Sequence, residues 1–211
     1  MVKERCIESK KQMLTANKTF VEKIWTDPTF NHMIGGGRID FCELSNNRVM
    51  SDLDKKAGID AIQLITKRFY NKRLNIIQTF EQINTMAIRV RYKNWRSFTV
   101  RCESSNKVNM VELDKKIAAI NNNSTFPNIT VQAHIVSDKL VSAAVIDTRT
   151  FYNFIISNYN KLQQKWNHDE DDTKLLIVDW SQLITNNINF LYFDHSTQKN
   201  NLPKMPSYDW D

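Results

Sequence analysis

One aspartate, Asp60, stands at the start of a short apolar run, IDAIQLI (59–65), directly after Gly58. A carboxylate on rigid structure at the entrance of a strand is well placed to bind a metal ion. Glycine adopts backbone conformations that other residues avoid, so Gly58 allows a sharp turn just before this strand. Asp60 is therefore the first residue to which the sequence assigns chemistry.

A second group of functional residues is basic. Residues 64–101 contain nine Lys and Arg residues and a single acid, Glu81. Because side chains alternate along a strand, the stretch MAIRVRY (86–92) places its cations on one face and its apolar residues on the other. Such a face needs solvent, carboxylates or phosphates opposite it, and Tyr92 and Trp95 add rings that could stack on bases. We expect DNA or RNA as the partner, with a solvated basic face as the alternative. The residues predicted to bind nucleic acid are Lys67, Arg68, Arg89, Arg91, Lys93, Arg96 and Arg101.

Composition places the 211-residue chain, with 41% hydrophobic residues and a net charge of +6, among globular proteins. No apolar run approaches the roughly 18 residues of a membrane-spanning helix, and residues 1–12 lack the apolar segment of a secretory signal. Three scattered cysteines form neither a CxxC pair nor a zinc spacing. We therefore expect a cytoplasmic protein with reduced thiols and no membrane contact.

The pattern of elements predicts an α+β fold with a mixed central β-sheet flanked by helices. We expect one domain over residues 1–198 and a tail over 199–211. Residues 96–102 are predicted to pair antiparallel with 86–92, while LNIIQTF (74–80) fits either a strand or an inserted hairpin. The predicted helices are 3–25, 109–123 and one that begins at Asp147 or Thr148. The other predicted strands are 38–44, 59–65, 174–180 and a hairpin of 128–136 with 139–146.

This order of elements resembles the PD-(D/E)xK, or restriction-endonuclease-like, nuclease superfamily. The resemblance is carried by DKKAGIDAI (54–62) and AIRVRYKNWRSFTVR (87–101). It implies a Mg²⁺-dependent endonuclease or exonuclease in which Asp60 is a metal ligand and Glu22, on the first helix, supports the site. In such nucleases an acid two residues before a lysine completes the site. Here those positions are Arg89-Val90-Arg91 or Arg91-Tyr92-Lys93, and arginine cannot ligate Mg²⁺, which takes oxygen ligands.

Three interpretations of this departure remain open. A displaced acid, Asp54, Glu43 or Glu103, could complete a Mg²⁺ site, with Asp60 and Asp54 as ligands and Arg91, Lys93 and Glu22 in catalytic roles. The chain could instead bind nucleic acid without cutting it. Asp60 and the arginines could also form a buried ion-pair network with no ligand. The alternative class of function is a non-catalytic interaction protein of a phage or mobile element that binds a host protein.

Overall fold

The computed structural model describes residues 15, 17–42, 48–71, 73–105, 111–167 and 172–202. The strands are β1 (Arg38–Phe41), β2 (Ala61–Asn71), β3 (Ile76–Arg91), β4 (Ser97–Ser104), β5 (Ile129–Val136), β6 (Lys139–Asp147), β7 (Gln163–Asn167), β8 (Thr173–Asp179), β9 (Leu191–Asp194) and β10 (Lys199–Asn200). The helices are α1 (Phe20–Trp25, wound as a π-helix), α2 (Pro28–Ile34), α3 (Arg48–Asp52), α4 (Glu112–Asn121), α5 (Thr148–Asn158) and α6 (Trp180–Thr185). A further π-helical turn, Leu53–Ala57, follows α3 directly, and a 3-10 turn, Tyr159–Lys161, follows α5.

Two sheets organise these elements. A seven-stranded sheet has the order β1-β2-β3-β5-β6-β9-β10, and a three-stranded sheet has the order β4-β8-β7. In the larger sheet β3 and β5 are parallel, and every other neighbouring pair is antiparallel. The predicted α+β class, with a mixed central sheet flanked by helices, is confirmed.

Each face of the larger sheet covers its own hydrophobic core. On one side Phe20 and Ile24 of α1 and Phe30 of α2 pack against sheet residues that include Met86 and Val131. The other side of the large sheet faces α4, α5, α6 and the small sheet. The core between them includes Leu113, Phe151, Trp180 and Leu176. Alternation along β3 therefore sends Met86 into the first core and sends Arg89 towards α4.

The predicted pairing of 86–92 with 96–102 is wrong. Both strands exist, but β3 already has β2 on one edge and β5 on the other, so β4 pairs with β8 in the second sheet. At the other edge of β4, backbone groups bond to the side chain of Gln132 instead of to a strand. Thr99 N donates to Gln132 Oε1 at 2.9 Å, and Gln132 Nε2 donates to Ser97 O at 2.5 Å.

Other predictions follow local signals and are confirmed. The β5–β6 hairpin turns at Ser137 and Asp138, whose φ angles are 48° and 65°. Asp147 caps α5 by accepting from Thr150 N at 2.7 Å. LNIIQTF belongs mostly to the long strand β3, which forms a hairpin with β2. Of the predicted first helix, residues 3–14 lie outside the described residues, as do residues 203–211 of the predicted tail.

Candidate functional site

A charged cleft lies between the α4-facing side of the large sheet and α4. Its volume is about 650 Å³, and its walls come from the turn Leu53–Ala57, β3, β4, α4 and β5. Six cations and three carboxylates line it, so its ionised side chains sum to a positive charge. The charged residues of the lining are Asp54, Lys55, Asp60, Arg89, Arg91, Arg101, Glu112, Lys115 and Lys116.

Asp60 is fixed by its backbone and by its carboxylate. Asp60 N donates to Met86 O at 2.8 Å, and Asp60 Oδ2 accepts from Ile88 N at 2.5 Å. Burial raises the pKa of Asp60 from 3.8 to about 7, although the Ile88 N–H and the Lys116 ammonium favour the charged form. Burial therefore favours the protonated, uncharged form of this carboxyl.

Lys116 is the cation beside Asp60, and it is only 4% exposed. Its Nζ donates to Ala57 O at 2.7 Å and to Gly58 O at 2.8 Å. Burial lowers the pKa of Lys116 from 10.5 to about 8. Gly58 has φ +61°, and a Cβ on this residue would lie 2.7 Å from Lys116 Nζ. Glycine therefore suits the left-handed turn, and its lack of a side chain leaves room for the ammonium group of the lysine.

Arg89 is held within the wall of the cleft. Its Nη1 donates to Thr99 O at 2.8 Å, and its Nη2 donates to Glu112 Oε2. Glu112 also accepts from Arg101 N at 3.2 Å and from the Tyr152 hydroxyl at 3.4 Å. Burial alone would raise the pKa of Glu112, but the charge of Arg89 and the hydrogen bond from Arg101 N outweigh it, so the pKa is lowered. Arg89 and Glu112 therefore form a partly buried ion pair that joins β3, β4 and α4.

The structure brings together only some of the residues predicted from the sequence. Asp54, Asp60, Arg89, Arg91 and Arg101 line the cleft. Arg91 Nη2 donates to Thr99 Oγ1 at 3.1 Å, and burial raises the pKa of Asp54.

The remaining predicted residues lie elsewhere. Arg96 pairs with Asp194 and donates to Ser196 Oγ. Glu22 is exposed on α1, which packs on the opposite face of the large sheet. Lys93 is exposed just after the end of β3, and Lys67 and Arg68 are exposed on the β2–β3 hairpin. Glu103 pairs with Lys174 at 3.2 Å. Glu43 lies outside the described residues.

Sequence reasoning missed Glu112 and Lys116. They occupy positions i and i+4 of α4, so they share one helical face that points into the cleft. The signal was present in ELDKKI (112–117), but only the apolar face of this helix was considered. Lys116 also lies on the same side of the helix as the buried residues Leu113 and Ile120. A solvent-exposed lysine would not occupy that side.

The residues of the cleft do not fit the Mg²⁺ site that the nuclease resemblance implies. One oxygen of Asp60 is bound to the Ile88 N–H, and both oxygens of Glu112 are occupied by Arg89, Arg101 and Tyr152. Within the described part of the chain, no group of three or more His, Cys, Asp or Glu side chains could hold a metal ion.

Comparison with known proteins assigns neither a family nor a function to the chain. No family model matches the chain, and neither a curated protein nor a solved structure matches it. In the ranges that the structure describes, no helix has both the length and the apolar character needed to cross a membrane.

Proposed function

We propose that the protein binds nucleic acid through the cleft, as a nuclease-like protein that does not cleave its ligand. The observation that carries the proposal is the lining of the cleft, in which six cations surround three carboxylates. One of those carboxylates, Glu112, is already neutralised by Arg89. Burial raises the pKa of Asp60 to about 7, which favours its uncharged form.

The excess of positive charge favours an anionic ligand. A cleft with walls of low dielectric constant concentrates the field of its cations and attracts phosphates. A phosphate near Asp60 would further favour the protonated carboxyl, which would remove a negative charge from the site. Ligand binding and protonation of Asp60 are therefore expected to reinforce each other.

The resemblance to the PD-(D/E)xK superfamily supports nucleic acid as the ligand. Asp60 lies at the start of β2 and is bonded to β3, where Arg89 and Arg91 stand two residues apart on the cleft side. Those are the positions at which the superfamily carries an acid and a lysine. Arg91 adds positive charge that attracts phosphates, while Arg89 is engaged with Glu112. Neither arginine can hold the metal ion that polarises the scissile bond.

The proposal is tested with labelled single-stranded DNA, duplex DNA and RNA. Fluorescence anisotropy measures binding at 50 and 200 mM salt, and a denaturing gel measures cleavage after incubation with Mg²⁺ or Mn²⁺. We expect binding at low salt that weakens at 200 mM by about 40-fold if three duplex phosphates are contacted, and we expect no cleavage. Absence of binding at 50 mM salt would overturn the proposal, and metal-dependent fragments would overturn its non-cleaving part.

A further inference from the structure

An exposed hairpin carries half of the exposed large hydrophobic side chains found among the described residues. We define the arm as residues 66–83, the part of the β2–β3 hairpin that has no neighbouring strand in the described structure. β1 pairs with β2 only over 61–64, and β5 pairs with β3 only over 86–91. The exposed apolar residues of the arm are Phe69, Tyr70, Leu74, Ile76, Ile77, Phe80 and Ile83. A two-stranded ribbon alone is only marginally stable in water. Clustered exposed apolar side chains on such a ribbon are typical of a binding surface.

One face of the arm combines aromatic rings with polar groups. The strand register places Lys67 opposite Phe80 and Phe69 opposite Gln78. Opposed residues point to the same face, so the two phenyl rings are diagonal neighbours, about 7–8 Å apart at their backbones. Phe69 is 50% exposed and Phe80 is 54% exposed. An ammonium group and an amide occupy the other two corners of this four-residue patch.

The charge of the arm selects the class of partner. Residues 66–83 contain four Lys and Arg residues and one acid, in a chain with a net charge of +6. A second copy of this chain would bring the same positive charge to the interface, which opposes self-association through the arm. On the ring face of the arm the register places Lys67 beside both rings. Rings next to a cation are complementary to nucleic acid, whose bases stack on aromatic side chains while a phosphate meets the cation.

The rings also select the form of the nucleic acid. Base faces are available for stacking only where bases are unpaired, and aromatic residues on an open sheet bind two or three such bases in known modes of recognition. We propose that the face of the arm formed by Lys67, Phe69, Gln78 and Phe80 binds an unpaired stretch of DNA or RNA. The inference rests on the proposed function for the class of ligand, and it adds a second site with a preference for single strands.

The arm face and the cleft make separable contributions. Phe69 and Phe80 share a face with Ala61 and Met86, which belong to the core beneath α1 and α2. The cleft lies on the opposite face of the same sheet. Changes to the arm therefore leave the cleft intact, and changes to the cleft leave the arm intact.

The test compares the wild type with two double variants, Phe69→Ala with Phe80→Ala and Phe69→Leu with Phe80→Leu. The leucine pair keeps apolar surface but removes the aromatic faces. Anisotropy is measured with a labelled oligothymidine, the same length of oligouridine, and a duplex of that length. Because stacking is worth about five- to 150-fold per base, we expect the alanine pair to bind the single strands at least about 25-fold more weakly. Binding of the duplex and the salt dependence should not change. Ile184→Ala, which alters a side chain of 50% exposure on α6, is the matched control and should bind like the wild type.

Each other outcome has a distinct meaning. Single-strand affinity that is unchanged in the alanine pair overturns the arm site and leaves the cleft proposal standing. Full affinity in the leucine pair overturns base stacking. A wild-type dimer that becomes monomeric in the alanine pair, measured by light scattering, shows instead that the arm is an interface between copies. If the wild type binds neither single strands nor the duplex, the proposed function itself fails.

Discussion

Replacing Asp60 with asparagine should stabilise the protein, and the gain should be larger at pH 8 than at pH 5. Asparagine has almost the same shape as the protonated aspartic acid, and its Oδ1 can still accept the hydrogen bond that Ile88 N donates at 2.5 Å. The variant therefore removes the ionisable group while it retains the local structure.

The magnitude follows from the pKa. Burial raises the pKa of Asp60 from 3.8 to about 7, so in the wild type the unfolded chain loses this proton at a lower pH than the folded protein. Between these values the folded state binds more protons, and the free energy of unfolding falls as the pH rises. At about 1.4 kcal/mol for each pKa unit, this cost develops from about pH 4 to pH 7, and slightly more than half of it falls above pH 5. We expect the variant to gain about 2–3 kcal/mol relative to the wild type between pH 5 and pH 8.

Lys116 changes the prediction in the same direction. Burial lowers the pKa of Lys116 to about 8, and the negative charge of Asp60 keeps it from falling further. Without that charge the pKa of Lys116 falls further, so the folded variant releases this proton at a lower pH. Because the unfolded chain keeps the proton, the variant becomes more stable as the pH rises through that range.

The assay is urea denaturation and thermal melting of both proteins at pH 5, 6, 7 and 8. A gain of this size corresponds to a rise in Tm of about 4–12 °C for a chain of this length. Asp40→Asn is the matched control, because Asp40 is exposed and pairs with Arg38 on the surface; its effect should stay within about 1 kcal/mol at every pH. If Asp60→Asn loses stability at pH 8 relative to pH 5, the ionised pair with Lys116 is net stabilising and our account of the buried carboxyl is wrong.

Two further substitutions probe the walls of the cleft. Gly58→Ala should lose at least about 1–3 kcal/mol in urea denaturation from its left-handed backbone. It should lose more than Gly35→Ala, because a Cβ at Gly58 would lie 2.7 Å from Lys116 Nζ while one at Gly35 would lie 3.5 Å from its nearest neighbour; equal losses would show that the lysine is not held there. Arg89→Met should lose about 1–3 kcal/mol at pH 7 because it leaves the partly buried Glu112 carboxylate without its cation. Part of that loss should be recovered at pH 4, where Glu112 can be protonated, and a loss independent of pH would contradict the ion pair.

The fold could be predicted where short-range signals determine it. The cap at Asp147 and the turn at Ser137 and Asp138 are local, so α5 and the β5–β6 hairpin follow from the sequence. Strand pairing is not local. Nothing in residues 86–102 reveals that β2 and β5 occupy both edges of β3, and so the pairing of β3 with β4 was predicted wrongly.

The cleft was predicted only in part for the same reason. The sequence identifies Asp60 as unusual and shows that arginines replace the expected acid and lysine. It does not reveal Lys116, because a lysine on a helix normally faces solvent. Here the lysine is buried by contacts with the carbonyl groups of Ala57 and Gly58, which are distant in the chain.

The most direct test of the cleft as a phosphate-binding site is the salt dependence of nucleic-acid affinity with and without two of its exposed cations. Lys55 and Lys115 line the cleft and are exposed, so the double variant Lys55→Gln with Lys115→Gln should fold normally. If both lysines contact phosphates, the slope of log affinity against log salt should become shallower by about 1.8 for duplex DNA or 1.4 for a single strand. Lys139→Gln, on the opposite side of the molecule at the pocket that contains Glu22, should leave the slope unchanged. A double variant with the slope and affinity of the wild type would contradict the cleft as the site of binding.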